Sequence, residues 1–309
     1  MTAAALLLGA LALALAWPVP LALSRAEWPS RSPATALVLW QGIALGGGLS
    51  MIGSLLAFGA APAGSLEGAA AALLPAVAGG PIPAGFGVLH LAALTLAVGL
   101  AVHLALNLAS TALRAERSRR RQHRLIDLLA GPEMSDSGAR VLAHPLPAAY
   151  CVPGLRTATV ITEGLVDLLD EDELRAVIAH ERAHLGQFHH LVQLAFRAWH
   201  AALPWFPIAN RAERSVSVLT EMLADDAARA QVGAEPLRTA LLRVGTAGAP
   251  SGLTEGDGAA AADEDTLERR VLRLGRSGAP LEAPSRLTAR LLAVGMVAVP
   301  ACVIAVIAF

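Results

Sequence analysis

The sequence predicts a mainly α-helical membrane protein in which about four transmembrane helices surround one polar α+β domain. Hydrophobic residues make up 55% of the 309 residues, charged residues only 16%, and the mean hydropathy is +0.54. A soluble domain has about 45–50% apolar and about 25% charged residues. Four apolar stretches are long enough to cross a bilayer as helices, which takes about 20 residues each. The charged residues concentrate between the third and the fourth stretch.

The apolar stretches and the polar region between them define the predicted domains. Transmembrane helices cover about residues 2–23, 34–61 and 84–113, a polar domain covers residues 114–244, a flexible linker residues 245–285, and a fourth helix residues 286–309. The first stretch lacks the positively charged start of a secretory signal peptide, so we expect it to remain as a helix rather than be cleaved. Residues 69–82 are also apolar, but prolines and glycines interrupt them, and we expect a loop there.

The arginines that flank the apolar stretches indicate the orientation in the membrane. If the four helices alternate in direction, the arginine clusters all fall on one side: Arg25 and Arg31; Arg114, Arg117, Arg119, Arg120, Arg121 and Arg124; Arg286 and Arg290. Basic residues in short loops favour the cytoplasmic side. We therefore expect a multi-pass protein of the plasma membrane whose polar domain faces the cytoplasm and whose termini lie outside.

Four residues inside the apolar stretches are candidates for a role in helix packing or in a functional site. Gly42 and Gly46 are four residues apart in the second stretch, a spacing that lets helix backbones approach closely, and we expect simple helix packing. His90 and His103 lie in the third stretch, where ionisable groups are functional candidates. Thirteen residues place them about 220° apart around a helix, so we expect neutral, hydrogen-bonded packing residues rather than a shared metal site.

Composition excludes several classes of function. The formal net charge of −1 excludes a broadly basic nucleic-acid binder. All 24 basic residues are arginine, which excludes a lysine Schiff base, a Walker-A phosphate loop and a Ser-x-x-Lys acylation site. Cys151 and Cys302 lie far apart, and the second is in an apolar stretch, so no disulfide framework is expected.

The polar region predicts an α+β domain. Residues 157–162 form the clearest strand, because β-branched residues alternate there, and shorter strands are expected at residues 141–143 and 150–152 after a loop at residues 131–138. The acidic residues 170–173 mark a helix start, and helices are expected over about residues 174–199 and 211–231. An arginine-rich amphipathic helix at residues 267–274 is expected on the anionic inner membrane surface.

The run His180-Glu181-Arg182-Ala183-His184 lies inside the first of these helices and has the H-E-x-x-H arrangement. Residues four apart stack on one helix face, so both imidazoles can reach one metal ion. Glu181 projects beside that ion and is placed to take a proton from a metal-activated water. A catalytic zinc site needs a third protein ligand and leaves one position for water.

The next helix offers that third ligand. Glu221 and Asp225 are four apart and share a face, so Glu221 would bind the metal and Asp225 would hold a ligand histidine through a hydrogen bond. The alternative is two carboxylates on a solvated face, but flanking apolar residues indicate that this turn is partly buried. Arg214, seven residues before Glu221 on nearly the same face, is a candidate for stabilising an oxyanion or, alternatively, a surface residue.

The remaining histidines near the motif are not expected to bind the metal. On a continuous helix His189 lies about 180° from His180, and His190 is also off the metal face, so both are expected at the surface or in packing. His200 is more than roughly 20 Å from His184 along a straight helix.

Taken in order, these motifs resemble the membrane-embedded zinc metallopeptidases. The resemblance rests on Pro147–Gly154, Thr159–Thr162, the run from Glu173 to His184, and Glu221-x-x-x-Asp225. It is strongest to the protease part of the β-lactam-sensor regulators and weaker to the CAAX-prenyl and heat-shock membrane proteases. It implies a gluzincin fold, one zinc ion per chain bound by His180, His184 and Glu221, and Glu181 as base. It also implies that a substrate strand pairs along the edge of residues 157–162.

The sequence departs from the β-lactam sensors in two ways. Those proteins carry a large penicillin-binding domain after the last span, whereas this sequence ends at Phe309 within the fourth helix. Without lysine there is no Ser-x-x-Lys site, so we do not expect covalent sensing of β-lactams.

The sequence therefore predicts a membrane-anchored zinc endopeptidase with an HExxH, zincin-like domain that acts on protein or peptide substrates. Two alternatives remain open. One is a signalling protease that cleaves a single repressor-like regulator, with a regulatory protein as partner. The other is a non-catalytic membrane scaffold that has kept the motif.

Overall fold

The computed structural model describes residues 1–133, 138–154, 157–204, 207–247, 260–275 and 281–309. The chain divides into two compact units: the first comprises residues 1–109, 198–215 and 281–309, and the second comprises residues 110–197 and 216–280.

The described residues form twelve α-helices and four strands. In chain order they are α1 (Thr2–Ala16), α2 (Pro18–Arg25), α3 (Pro33–Gly59), α4 (Leu66–Val77), α5 (Val88–Leu129), β1 (Ala130–Glu133), β2 (Ala139–Leu142), β3 (Ala149–Val152), β4 (Ala158–Thr162), α6 (Glu163–Leu168), α7 (Glu171–Gly186), α8 (His189–Ala202), α9 (Pro207–Val232), α10 (Ala234–Thr246), α11 (Ala260–Gly275) and α12 (Ala283–Ala308).

Four helical segments among the described residues are long and apolar enough to cross a membrane, as predicted. They are Thr2–Arg25, Pro33–Gly59, Val88–Leu129 and Ala283–Ala308. The first consists of α1 and α2, which are divided at Trp17 because Pro18 begins a new helix. The third continues without interruption for 42 residues to Leu129, well beyond the apolar stretch that predicted it.

In the first unit, α3 packs against both α1 and α12. Gly42 and Gly46 face α12: a Cβ atom added to Gly42 would lie 2.9 Å from the Cα atom of Ala293, and one added to Gly46 would overlap the backbone carbonyl of Met296. The backbones approach so closely only because both positions lack a side chain, which confirms the predicted helix packing.

Residues 69–82 are not the predicted loop throughout, because α4 covers Leu66–Val77. The side chain of Ser65 caps this helix by accepting a hydrogen bond from the backbone N–H of Gly68 at 3.0 Å. Pro75 lies in the last turn, so the helix ends two residues later instead of being broken in the middle.

The second unit contains a four-stranded sheet in the order β1-β2-β4-β3. Strand β4, which confirms the clearest predicted strand, pairs in parallel with β2 and antiparallel with β3. β4 leads directly into α6, and Ile161, Leu165, Leu174, Ile178 and Ala240 share a buried cluster that joins the sheet to α6, α7 and α10. Strand β1 begins where a loop over residues 131–138 was expected, while residues 134–137 lie outside the described part.

The single helix predicted over residues 174–199 is in fact two helices, α7 and α8. Helix α7 begins with a capping box, in which the side chains of Asp170 and Glu173 each bond to the other's backbone N–H. It ends at Gly186, and Phe188 has a positive φ of 54°, which a continuous helix cannot contain. The sequence pattern missed this break because the apolar spacing continues across it.

The predicted linker contains more ordered structure than expected. Helix α10 extends to Thr246, and the predicted short helix is the C-terminal half of α11; residues 248–259 and 276–280 lie outside the described part. Leu274 of α11 is buried with Ala176, Ala228 and Leu237 from α7, α9 and α10. The apolar side of α11 therefore packs against protein, which corrects the expectation that this helix lies on the membrane surface.

Candidate metal centre

Helices α7, α9 and α11 converge on one site in the second unit. Helix α7 contributes His180, Glu181 and His184, α9 contributes Glu221 and Asp225, and α11 contributes Arg270. The two histidines lie one turn apart on α7, as do the two carboxylates on α9, so each helix presents a pair of side chains on one face.

The three predicted ligands present their atoms at the spacing of a metal site. The Nε2 atoms of His180 and His184 are 3.2 Å apart. Glu221 Oε2 is 3.4 Å from His180 Nε2, and Glu221 Oε1 is 3.3 Å from His184 Nε2. Two ligand atoms of a tetrahedral zinc ion, each about 2.0–2.1 Å from the metal, lie about 3.3–3.4 Å apart. The donor set and its spacing therefore fit one zinc ion.

Asp225 and Arg270 contact the side chains of two of these ligands, His180 and Glu221. Asp225 is fully buried, and its Oδ1 atom lies 3.0 Å from His180 Nδ1. The guanidinium of Arg270 makes a bidentate pair with Asp225, with Nε 2.8 Å from Oδ2 and Nη2 2.7 Å from Oδ1. Its Nη1 atom is 3.0 Å from Glu221 Oε2. One cation thus balances two carboxylates.

Arg270 was missed by the sequence reasoning. It lies 45 residues after Asp225 in the sequence, within a region predicted to be a flexible linker with a helix on the membrane surface. The only signal was the amphipathic pattern of that helix, and an arginine on a solvated helix is the ordinary interpretation of such a pattern.

The charges around the site set the protonation of its groups. Burial raises the pKa of Glu221, but Arg270 and His180 outweigh burial and hold that pKa well below its usual range. Burial likewise opposes ionisation of Asp225, yet Arg270 lowers its pKa to about 2. Burial lowers the pKa of His184 to about 4. Glu221 is therefore ionised and His184 neutral, which are the forms that bind metal. Burial lowers the pKa of His180, but hydrogen bonds to Asp225 and Glu221 outweigh burial and raise it to about 9, so this ring must lose a proton when a metal binds.

Glu181 has the protonation behaviour of a general base. Burial, reinforced by the charge of Glu221, raises the pKa of its carboxyl group to about 7, while His180, Arg270 and a hydrogen bond from the backbone of Cys151 act in the opposite direction. A carboxylate whose pKa lies near neutrality is a better proton acceptor than one with an ordinary pKa.

His189 lies at the site, which corrects the expectation from the helical wheel. It is 2% exposed, and its Nδ1 atom is 2.9 Å from His184 Nδ1. The expectation assumed a continuous helix, whereas the break at Phe188 turns the chain back towards His184.

The other candidate residues lie elsewhere. Arg214 is exposed on the part of α9 that belongs to the first unit, and the arginine beside Glu221 is Arg270. His200 pairs with Glu213 at 2.6 Å in the first unit. His103 contacts the carbonyl oxygen of Ala202 at 3.1 Å, as expected of a hydrogen-bonded packing residue. Within the described ranges, His180, His184 and Glu221 are the one group whose atoms could together hold a metal ion.

Strand β4 has no free edge, because β2 and β3 flank it on both sides. The expectation that a substrate strand pairs along residues 157–162 is therefore wrong. The free edge near the site is β3, which contacts α7. The backbone N–H of Thr162 donates to Ala148 at 3.0 Å, and alternation along an antiparallel pair then turns the backbone groups of Ala149 and Cys151 away from β4.

Comparison with known proteins gives a family match and short similarities. Residues 112–239 match the family model "Peptidase family M48". The sequence is 42% identical over 53 residues to a "Protease HtpX homolog" of Trichormus variabilis, a match that covers 13% of this chain and 18% of the relative. It is 35% identical over 60 residues to a "Protease HtpX homolog" of a Sulfurovum species, covering 16% of this chain and 22% of the relative.

These similarities are local. The chain spans less than a quarter of the length of the curated relatives it matches. No solved structure matches it. The family match nevertheless covers α7 and α9, so His180, Glu181, His184, Glu221 and Asp225 lie within the region that matches the peptidase M48 model, whereas Arg270 on α11 lies outside it. The described residues also include four candidate membrane-spanning helices.

Proposed function

We propose that the protein is a membrane-anchored zinc endopeptidase that hydrolyses peptide bonds of protein substrates. The observation that carries the proposal is the spacing of 3.2–3.4 Å among the ligand atoms of His180, His184 and Glu221, with Glu181 next to them on α7. The M48 domain over residues 112–239 supports the same reaction.

Each residue of the site has a distinct task in this reaction. His180, His184 and Glu221 would hold one zinc ion, which lowers the pKa of water and polarises a scissile carbonyl when bound. Glu181 takes the proton of the attacking water and passes it to the leaving nitrogen. Asp225 holds the ring of His180. Arg270 keeps Glu221 and Asp225 ionised.

We further propose that the substrate binds as an extended strand along β3. The outward backbone groups of Ala149 and the outward carbonyl oxygen of Cys151 have no partner strand among the described residues, because β3 is the end of the sheet. A peptide that adds to such an edge gains main-chain hydrogen bonds with little dependence on its sequence. Glu181 lies close enough to this edge to accept a hydrogen bond from the backbone of Cys151, so a peptide bound there would have its backbone near the base.

We propose two alternative biological roles, a signalling protease and a protease of general proteolysis in the membrane. A signalling protease that cleaves one repressor-like regulator rests on the resemblance of the motifs to the β-lactam-sensor regulators, whereas the comparisons match the peptidase M48 model and HtpX homologues. The names of the relatives with local similarity do not separate this role from general proteolysis in the membrane. The arginine clusters favour a cytoplasmic domain in both cases.

The Glu181→Gln variant tests the proposed reaction. We expect the purified wild type to hold one zinc per chain and to cleave labelled casein, and the variant to keep zinc but lose about 10²–10⁴-fold in rate. Glu171→Gln, an exposed substitution on the same helix, should behave as wild type. Equal rates for wild type and Glu181→Gln would disprove the mechanism, and a wild type without zinc and without hydrolysis would favour the scaffold.

The same variant separates the two roles when it is expressed in cells. A Glu181→Gln protein that captures one regulator supports signalling, whereas capture of many damaged membrane proteins supports quality control.

A further inference from the structure

We infer that His189 orients His184 as a metal ligand through a chain of two hydrogen bonds that begins at Gln187. The inference rests on the proposed metal site and assigns a positioning role to a residue that the mechanism does not otherwise use.

The backbone after α7 brings His189 into place. On a continuous helix, five residues would put His189 about 140° around the axis from His184. Instead α7 ends at Gly186 and Phe188 adopts a positive φ of 54°, so α8 begins in a new direction with His189 as its first residue. The ring of His189 then meets the ring of His184 edge to face, with centroids 4.9 Å apart.

The contacts of His189 determine which nitrogen carries its proton. Its Nε2 atom is 3.1 Å from Gln187 Oε1, and an amide oxygen can only accept a hydrogen bond. We therefore assign Nε2 of His189 as the donor. In a neutral imidazole the other nitrogen, Nδ1, is then an acceptor.

That acceptor fixes the tautomer of His184. The two Nδ1 atoms are 2.9 Å apart, so His184 must donate its Nδ1 proton to His189. Its Nε2 atom is left with a free lone pair, and this is the atom that lies 3.2 Å from His180 Nε2 and 3.3 Å from Glu221 Oε1. The chain of two hydrogen bonds thus directs the metal-binding lone pair of His184 towards the other two ligand atoms.

The two ligand histidines are held by different chemistry. His180 Nδ1 faces the carboxylate of Asp225 at 3.0 Å, whereas His184 Nδ1 faces a neutral ring. Both are hydrogen-bond acceptors, and this is the property that orients the ring of a ligand histidine. What the position requires is an acceptor, so aspartate or asparagine should serve in place of His189, and an apolar ring should not.

The test measures zinc affinity of the full-length protein in detergent by competition with a chromophoric chelator. We expect His189→Phe to weaken zinc binding by about 10–100-fold, the usual effect of losing an outer-shell partner. His189→Asp should restore the affinity to within a few-fold of wild type. His190→Phe, at the next position, is the matched control and should bind as wild type. The visible spectrum of the cobalt-substituted protein should change in His189→Phe and return in His189→Asp.

A second variant tests the same inference if His189→Phe does not fold. Gln187 is exposed, so Gln187→Leu should fold, as checked by circular dichroism. It removes the acceptor that sets the tautomer of His189, and we expect it to weaken zinc binding in the same direction but less than His189→Phe.

The outcomes separate this inference from the proposed function. A wild type that binds no zinc contradicts the proposed function itself. A wild type that binds zinc, together with folded His189→Phe and Gln187→Leu proteins of unchanged affinity and cobalt spectrum, overturns only the role of His189. A folded His189→Asp protein as weak as His189→Phe would also overturn it, because an acceptor at this position would then be insufficient.

Discussion

Arg270 and Asp225 form a bidentate ion pair in which Nε and Nη2 of the guanidinium lie 2.8 and 2.7 Å from the two carboxylate oxygens. The arginine side chain is 10% exposed and the aspartate side chain 1%. The pair connects α11 to the helix that carries Glu221, and it therefore couples the predicted linker region to the metal site.

Breaking this pair should destabilise the second unit. Arg270→Met leaves Asp225 and Glu221 without their cation, and removing one partner of a buried pair costs about 3–5 kcal/mol. We expect a lower free energy of unfolding in detergent, measured by denaturant titration. The exposed neighbour Arg269→Met is the control and should cost less than about 1 kcal/mol. Equal losses for both variants would show that the pair contributes no special stability.

Two glycines of α3 should respond differently to the same substitution. In Gly46→Ala the new methyl group overlaps the backbone carbonyl of Met296, so α12 must move and we expect a loss of about 1–3 kcal/mol. In Gly48→Ala the added Cβ meets nothing within 4 Å, and alanine favours a helix by about 1 kcal/mol over glycine.

The thermal unfolding midpoint in detergent measures both effects. It should fall for Gly46→Ala and stay equal or rise for Gly48→Ala. A rise for both variants would contradict the close contact between α3 and α12.

The alkylation rate of Cys151 should keep rising at pH values at which an ordinary thiol is already fully ionised. Burial raises the pKa of this thiol to about 11, and the charge of Glu181 adds to the effect. Since only the thiolate reacts, about one thiol in a thousand is reactive at pH 8, and the alkylation rate should rise about tenfold per pH unit up to pH 10. Iodoacetamide labelling of a Cys302→Ala protein measures this rate.

Glu181→Gln provides the control for this prediction. It removes a negative charge near Cys151, so the thiol pKa should fall and labelling at pH 8 should become faster. If the labelling rate of the Cys302→Ala protein, in which Glu181 is intact, levelled off by pH 9, the raised thiol pKa would be contradicted.

Substrate binding along β3 should be sensitive to proline at Ala149. The N–H of Ala149 points away from β4, so Ala149→Pro spares the sheet but removes one donor from the free edge. A lost hydrogen bond of about 0.5–1.5 kcal/mol should lower kcat/KM for a peptide substrate by about 2–10-fold, mainly through KM. Ala149→Val keeps the N–H and is the control. Unchanged kinetics in Ala149→Pro would exclude this edge as the substrate site.

Local patterns in the sequence predicted much of this structure. The period of the α-helix by itself places His180 above His184 and Glu221 above Asp225, because residues four apart share a face whatever surrounds them. Hydropathy over about 20 residues likewise predicted the four apolar helices. The capping box at Asp170 and Glu173 is equally local, since both hydrogen bonds join residues three positions apart.

Other features were decided only by the tertiary structure. Strand pairing is a long-range choice, and it places β3 rather than β4 at the free edge of the sheet. The break at Phe188, which no apolar periodicity reveals, brings His189 to His184. Arg270 reaches Asp225 across 45 residues because Leu274 packs α11 among α7, α9 and α10. The sequence alone thus determined which residues share a helix face, whereas packing between distant segments decided which charges and rings meet those faces, because such contacts depend on the whole chain rather than on a few neighbouring residues.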